Sequence, residues 1–76
     1  MPYINVRLME DVLTPEQKQT IAEGITETLV RVIGEPIRGA TWVLIDDIRS
    51  GQLVIGGDAL TTDGVKQLLG SVPAAV

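Results

Sequence analysis

A single long amphipathic helix pattern lies between two strand patterns in this chain. Thr14, Pro15 and Gln17 predict a helix start, because Thr14 can cap the helix, proline suits the first helical position and Gln17 completes a capping box. Gly34 and the proline that soon follows it predict the helix end. In between, apolar residues recur at helical spacing, at Ile21, Ile25, Leu29, Val32 and Ile33.

Both strand patterns are strongly apolar. Residues 3–9 alternate, with Ile4, Val6 and Leu8 on one face, which is typical of a strand with one apolar face. Residues 40–46 are nearly all apolar, which favours a strand buried on both faces. The order strand, long helix, strand predicts a right-handed crossover connection, which places the two strands parallel. The predicted fold class is α/β, with a short β-α-β unit.

The last third of the chain predicts only short elements. An extended piece at residues 52–55 is closed by Gly56 and Gly57, which tolerate positive φ. Thr61 or Thr62 can cap a last short helix. No linker or repeat is evident, so we expect one domain over residues 1–76, with a flexible tail from about residue 71.

Such a small chain is expected to need other chains. One helix covers only one face of a two-stranded sheet. A domain of 76 residues is only marginally stable alone, and without Cys it has no disulfides to stabilise it. Its hydrophobic fraction of 45% is high for so much surface. We therefore expect a symmetric oligomer.

Composition excludes several kinds of function. Without Cys or His a zinc or haem site is not expected and a Ser-His-Asp triad is impossible, so we expect no cofactor. A net charge of −4 with scattered basic residues argues against nucleic acid as a partner. The sequence has neither a signal-peptide pattern nor an apolar run of membrane length, which predicts a cytoplasmic protein without membrane contacts.

Pro2 is the candidate for catalysis. Initiator methionine is generally removed before a small residue, and loss of Met1 would leave Pro2 as a secondary amine at the start of a strand. Apolar surroundings would lower the pKa of this amine, and an amine near neutral pH is a competent general base. On sequence position alone, an ordinary second residue is the simpler interpretation.

The context of Pro2 changes that balance. Met-Pro-Tyr-Ile-Asn-Val-Arg, then Thr-Pro-Glu-Gln-Lys, Gly-Glu-Pro and Ile-Gly-Gly, in this order, resemble the 4-oxalocrotonate tautomerase family. The resemblance implies a tautomerase-like β-α-β unit with a carboxy-terminal hairpin. It also implies subunits that assemble as hexamers, or trimers of dimers. In that family the amino-terminal proline moves a proton between the oxygen and carbon of a small 2-oxo or enol carboxylic acid.

The residues that would bind substrate depart from the family pattern. Val12 and Thr41 stand where the family has arginines, and Leu53 stands where it has an aromatic residue. The replacement candidates for binding the carboxylate are Arg38, Arg49 and Arg7, in that order, and Leu53 and Ile55 are candidates for an apolar wall beside Pro2. For the arginines solvated surface is the simpler role, and for Leu53 and Ile55 core packing explains them equally well.

Trp42 is interpreted as core, and Asp46-Asp47 as a solvated strand end.

Two other functions stay open at this point. A hydratase or dehalogenase acting on an unsaturated acid could use the same proline, with Asp46 or Asp47 activating water. The missing arginines also fit a non-catalytic subunit of a hetero-oligomer. A homo-oligomeric tautomerase is the principal prediction.

Overall fold

The computed structural model describes residues 1–70, so the predicted tail lies outside the described residues. Five strands and helices follow the predicted order, and a 3-10 helix and one further strand are added. In chain order the elements are β1 (Tyr3–Met9), α1 (Pro15–Ile33), the 3-10 helix (Glu35–Ala40), β2 (Trp42–Ile48), β3 (Leu53–Ile55), β4 (Asp58–Leu60) and α2 (Thr62–Gly70).

The strands β1 and β2 form a two-stranded parallel sheet, with α1 as the connection. The backbone N–H of Trp42 donates to the carbonyl of Pro2 at 2.9 Å, and the N–H of Glu10 donates to the carbonyl of Ile48 at 2.8 Å. The beginnings of the two strands therefore pair with each other, as do their ends. The predicted β-α-β unit is confirmed.

A tight hairpin follows. The strands β3 and β4 are antiparallel, with Leu53 opposite Leu60 and Ile55 opposite Asp58. Gly56 and Gly57 form its two-residue turn, and their φ angles of 58° and 88° lie in the left-handed region. A turn with these angles has a backbone twist that matches the twist of the two strands. The hairpin that the family resemblance implied is confirmed, although the residue pattern alone showed only its first strand.

The start of α1 is the predicted capping box. The Thr14 hydroxyl accepts from the backbone N–H of Gln17 at 3.2 Å, and the Gln17 side-chain oxygen accepts from the N–H of Thr14 at 2.9 Å. The helix ends at Gly34, whose N–H donates to the carbonyl of Val30 at 2.8 Å and whose φ of 123° favours glycine.

Replacing Thr14 with alanine should lower the free energy of unfolding by about 1 kcal/mol, because the backbone N–H of Gln17 loses its partner, the Thr14 hydroxyl. Urea unfolding at fixed protein concentration measures this. The control is Thr20→Ala, since the Thr20 hydroxyl only donates back to the carbonyl of Glu16 and its loss should change stability by less than about 0.5 kcal/mol. Equal midpoints for the two variants would contradict the capping role.

The 3-10 helix was not predicted, and it shifts the second strand. Residues 40–46 were expected to be extended, but β2 begins at Trp42. Thr41 ends the 3-10 helix, because its hydroxyl donates to the carbonyl of Ile37 at 2.8 Å. An apolar run does not reveal where a 3-10 helix ends and a strand begins, since both kinds of structure accept apolar residues.

Burial differs between the two faces of the sheet. On one face of the sheet the side chains, such as Ile4, Val6 and Ile45, are half-buried, whereas on the other face Trp42 is 67% exposed and Leu44 is 44% exposed. The expectation that the second strand is buried on both faces is therefore wrong within a single chain. We call the exposed side of the sheet the open face; its members are Tyr3, Asn5, Arg7, Trp42, Leu44 and Asp46.

The described residues form two compact units. The first contains residues 1–7 and 13–46, and the second contains residues 8–12 and 47–70. The open face and α1 lie in the first unit, and the hairpin and α2 lie in the second. The organisation into one domain stays a prediction. Within residues 1–70, no helix is long and apolar enough to cross a membrane.

Candidate active site

Pro2 lies directly before β1 in the first unit. It is half-buried, and its carbonyl accepts the backbone N–H of Trp42 at 2.9 Å. This bond fixes Pro2 to the neighbouring strand. Met1 is 85% exposed, so the residue that must be removed to free the Pro2 nitrogen projects into solvent. The candidate base therefore has a defined position at the start of the sheet.

Both aromatic residues of the chain lie at the same end of the open face. In a parallel pair of strands, the bond from Trp42 to the Pro2 carbonyl makes Trp42 the neighbour of Tyr3. Tyr3 is 59% exposed and Trp42 is 67% exposed. The interpretation of Trp42 as a core residue is therefore not met within one chain.

Arg38, the first-ranked carboxylate candidate, is held by two glutamates. Its Nε donates to Glu35 at 2.7 Å, its Nη2 contacts Glu27 at 3.2 Å and Glu35 at 3.3 Å, and its Nη1 also donates to Glu27. These hydrogen bonds raise the pKa of Arg38 and lower the pKa of both glutamates. A substrate carboxylate at Arg38 would compete with two carboxylates already in place. Arg38 joins α1 to the 3-10 helix.

Replacing Arg38 with methionine should lower the thermal unfolding midpoint at neutral pH and have less effect in acid. Glu27 and Glu35 have lowered pKa values in the folded state, so their stabilisation is present above the ordinary value of 4.5 and is lost as pH falls through the lowered values. Thermal unfolding between about pH 7 and pH 3 tests this. Arg31→Met is the control, since the only hydrogen bond of the Arg31 guanidinium among the described residues is a contact with the Thr28 hydroxyl. A difference that widens in acid would contradict the assignment.

Arg7 and Asp46 lie together on the open face. The Asp46 Oδ2 accepts from the Asn5 amide at 2.8 Å and lies 4.0 Å from the Arg7 Nε. The Arg7 side chain is 70% exposed, so its charge remains accessible. Asp46 is oriented by Asn5, and this arrangement gives no support to Asp46 as the water-activating group of the hydratase alternative.

Arg49 lies between β2 and β3 in the second unit and is exposed. Its carbonyl accepts the N–H of Gln52 at 3.0 Å. Among residues 1–70, no hydrogen bond or ion pair engages its guanidinium. Of the three predicted arginines, Arg49 is therefore the one whose guanidinium makes the fewest contacts with the described residues.

The hairpin presents an apolar strand. Leu53 and Ile55 are 39% and 63% exposed, so neither is a core residue of the single chain.

A hydrogen-bond network that the sequence did not reveal anchors the segment before the hairpin. Glu10 accepts the N–H of Ser50 at 2.8 Å, and the Ser50 hydroxyl accepts the N–H of Thr62 at 2.9 Å. The contacting residues are far apart in sequence and carry no local signal.

No group of three His, Cys, Asp or Glu side chains within residues 1–70 is arranged to hold a metal ion.

A parallel β-α-β unit followed by a tight hairpin, with a proline at the first strand, defines a small α/β protein of the tautomerase type. The chain belongs to the tautomerase family. The family model described as tautomerase enzyme matches residues 2–63, a segment that begins at Pro2. A probable tautomerase K2 from Dickeya dadantii is 36% identical over 61 residues, covering 80% of this chain and 90% of that protein.

Solved structures agree with this assignment. DmpI from Helicobacter pylori matches with a TM-score of 0.68 and 31% identity, over 78% of this chain and 95% of that one. N2, a member of the 4-oxalocrotonate tautomerase family, matches with a TM-score of 0.65 and 33% identity, over 79% of this chain and 91% of that one. The family that the sequence motifs indicated is confirmed, and the chain is a tautomerase-type enzyme.

Proposed function

We propose that the protein catalyses keto–enol tautomerisation of a small 2-oxo or enol carboxylic acid, with Pro2 as the general base after removal of Met1. The observation that carries this is the position of Pro2. It is the first residue of the family match, and its carbonyl is fixed to the neighbouring strand. A base that is held in place can meet the same substrate atom in each turnover.

The proposed reaction needs no other reagent. The neutral Pro2 nitrogen takes the proton of the enol hydroxyl, and the oxygen electron pair forms the carbonyl. The electrons of the carbon–carbon double bond then take the proton back from Pro2 at the adjacent carbon. A nearby cation lowers the barrier by stabilising the enolate and holding the carboxylate.

We propose Arg49 and then Arg7 as the carboxylate contacts. Their charges remain accessible, whereas Arg38 is hydrogen-bonded to two glutamates. We keep Leu53 and Ile55 as the proposed apolar wall, since both are exposed in the single chain.

Arginine variants test these roles. Arg49→Met should raise KM for the enol acid by about 10-fold or more, because a charge-assisted hydrogen bond contributes about 1.5–3 kcal/mol. Arg38→Met, checked for folding, should leave KM close to that of the wild type. Loss of enol absorbance measures KM for each of the two variants. The reverse ranking of the two variants would return the role to Arg38.

We also propose that the protein is a homo-oligomer, a hexamer built as a trimer of dimers. Met9 is the only buried apolar side chain among residues 1–70, and the open face leaves Trp42 and Leu44 exposed. A second copy covering this face would complete the burial that the single chain lacks.

A further inference from the structure

Glu10 is hydrogen-bonded to the main chain on both sides of Arg49. Its backbone N–H donates to the carbonyl of Ile48 at 2.8 Å, and its carboxylate Oε2 accepts the backbone N–H of Ser50 at 2.8 Å. Ile48 and Ser50 are the two neighbours of Arg49 in the sequence. Both peptide groups that flank Arg49 are therefore bonded to one residue, which restricts rotation of the Arg49 backbone.

Two further hydrogen bonds hold Glu10 and Ser50 in this arrangement. The Ser50 hydroxyl accepts the N–H of Thr62 at 2.9 Å, and the Thr62 hydroxyl donates to the carbonyl of Glu10 at 3.0 Å. The side chain of each of these three residues therefore bonds the backbone of another, in a closed ring that lies within the second unit. A ring in which every member is bonded is more rigid than a single contact.

The same arrangement leaves the charge of Arg49 available. Arg49 is exposed, whereas Glu10 and Thr62 are half-buried. The Glu10 carboxylate bonds the N–H of Ser50, and among residues 1–70 no ion pair engages the guanidinium of Arg49. The backbone of this arginine is therefore fixed while its cation remains open to an anionic ligand.

We propose that Glu10 is a positioning residue, which fixes the backbone of Arg49 so that its guanidinium meets the substrate carboxylate in one place. This inference rests on the proposed function, because it concerns the carboxylate contact of the same site. An arginine whose backbone is fixed beforehand loses less conformational freedom when it binds a ligand. Loss of the Glu10 carboxylate should therefore weaken substrate binding at Arg49 and have little effect on proton transfer at Pro2.

Amide hydrogen exchange tests the hold on Arg49 without turnover. In Glu10→Ala the Ser50 N–H loses its acceptor, so its exchange, followed by NMR, should be about 10-fold or more faster than in the wild type. In Glu10→Gln the side-chain oxygen can still accept this N–H, and exchange should stay within about 3-fold. The control is the N–H of Gln17, which is bonded to Thr14 in the first unit and should not change. Unchanged Ser50 exchange in Glu10→Ala would overturn the inference.

Kinetics test whether this hold serves substrate binding. Glu10→Ala should raise KM for the enol acid by about 5-fold or more and change kcat by less than about 2-fold, whereas Glu10→Gln should keep most of the affinity. Glu23→Ala is the matched control, since the exposed Glu23 carboxylate lies on α1, where it accepts the Gln19 amide at 3.2 Å. Its KM should equal that of the wild type.

A double variant separates positioning from general stability. If Glu10 acts through Arg49, adding Glu10→Ala to Arg49→Met should change KM by less than about 2-fold, because the contact is already lost. A merely structural role would raise KM by the same factor in both backgrounds. Such an equal rise would overturn the inference.

The two levels fail separately. A wild-type protein that ketonises no enol acid would reject the proposed function, and the exchange of the Ser50 amide would still decide whether Glu10 holds Arg49. Turnover that depends on Pro2 and Arg49, with a KM that Glu10→Ala leaves unchanged, would keep the function and reject the positioning role.

Discussion

Pro2→Ala should reduce kcat/KM for ketonisation by about 100-fold or more, the usual contribution of a positioned general base. The variant still has an amino terminus after Met1 is removed. However, its primary amine lacks the ring that fixes the direction of the nitrogen lone pair. The backbone bond from Trp42 to residue 2 is retained, so the strand pairing and the fold should persist. Loss of enol absorbance over time measures the effect.

Pro36→Ala is the matched control for this substitution. Pro36 lies in the first turn of the 3-10 helix and has no proposed part in the chemistry. Its variant should react within about 3-fold of the wild type, as expected for a change away from the reacting atoms. If Pro2→Ala and Pro36→Ala react at similar rates, Pro2 is not the base.

Leu44→Lys should convert the proposed oligomer to smaller species. Leu44 lies on the open face between Trp42 and Asp46 and is 44% exposed in the single chain. If a second copy covers this face, the lysine ammonium must leave water without a partner, which costs several kcal/mol and weakens association by about 100-fold or more. Sedimentation velocity at micromolar concentration measures the mass.

Val32→Lys controls for the added charge. Val32 is 79% exposed on α1, so a lysine there should stay in solvent and leave the mass unchanged. A wild-type protein that sediments as a monomer, or a Leu44→Lys variant with the wild-type mass, would contradict the assignment of the open face to subunit contact.

The parts of the fold that local chemistry specifies could be predicted. Thr14 and Gln17 set the start of α1 because a capping box involves only near neighbours. Gly56 and Gly57 predicted the turn because positive φ favours glycine. The strand β4 was harder to predict, since Asp58–Leu60 is too short to carry a hydrophobic pattern and becomes a strand only by pairing with β3.

The candidate site depended more on contacts between distant residues. Arg38 was ranked by its closeness to Thr41 in sequence, but its guanidinium turns towards Glu27, eleven positions earlier. Trp42 was assigned to the core because apolar runs favour burial, whereas the single chain has nothing to cover that face. Pro2 could be identified from position and family motif together, because its proposed chemistry depends on the chain terminus.

The most direct test of Pro2 as the base uses one sequence in two forms. A chain of 76 residues is within reach of chemical synthesis, which can supply it with and without Met1. Intact mass confirms each form, and ketonisation of the same enol acid is compared after matched refolding. We predict a rate about 100-fold or more higher without Met1, because only that form has a Pro2 amine. Equal rates in the two forms would show that the amine takes no part, and would contradict the proline-based mechanism.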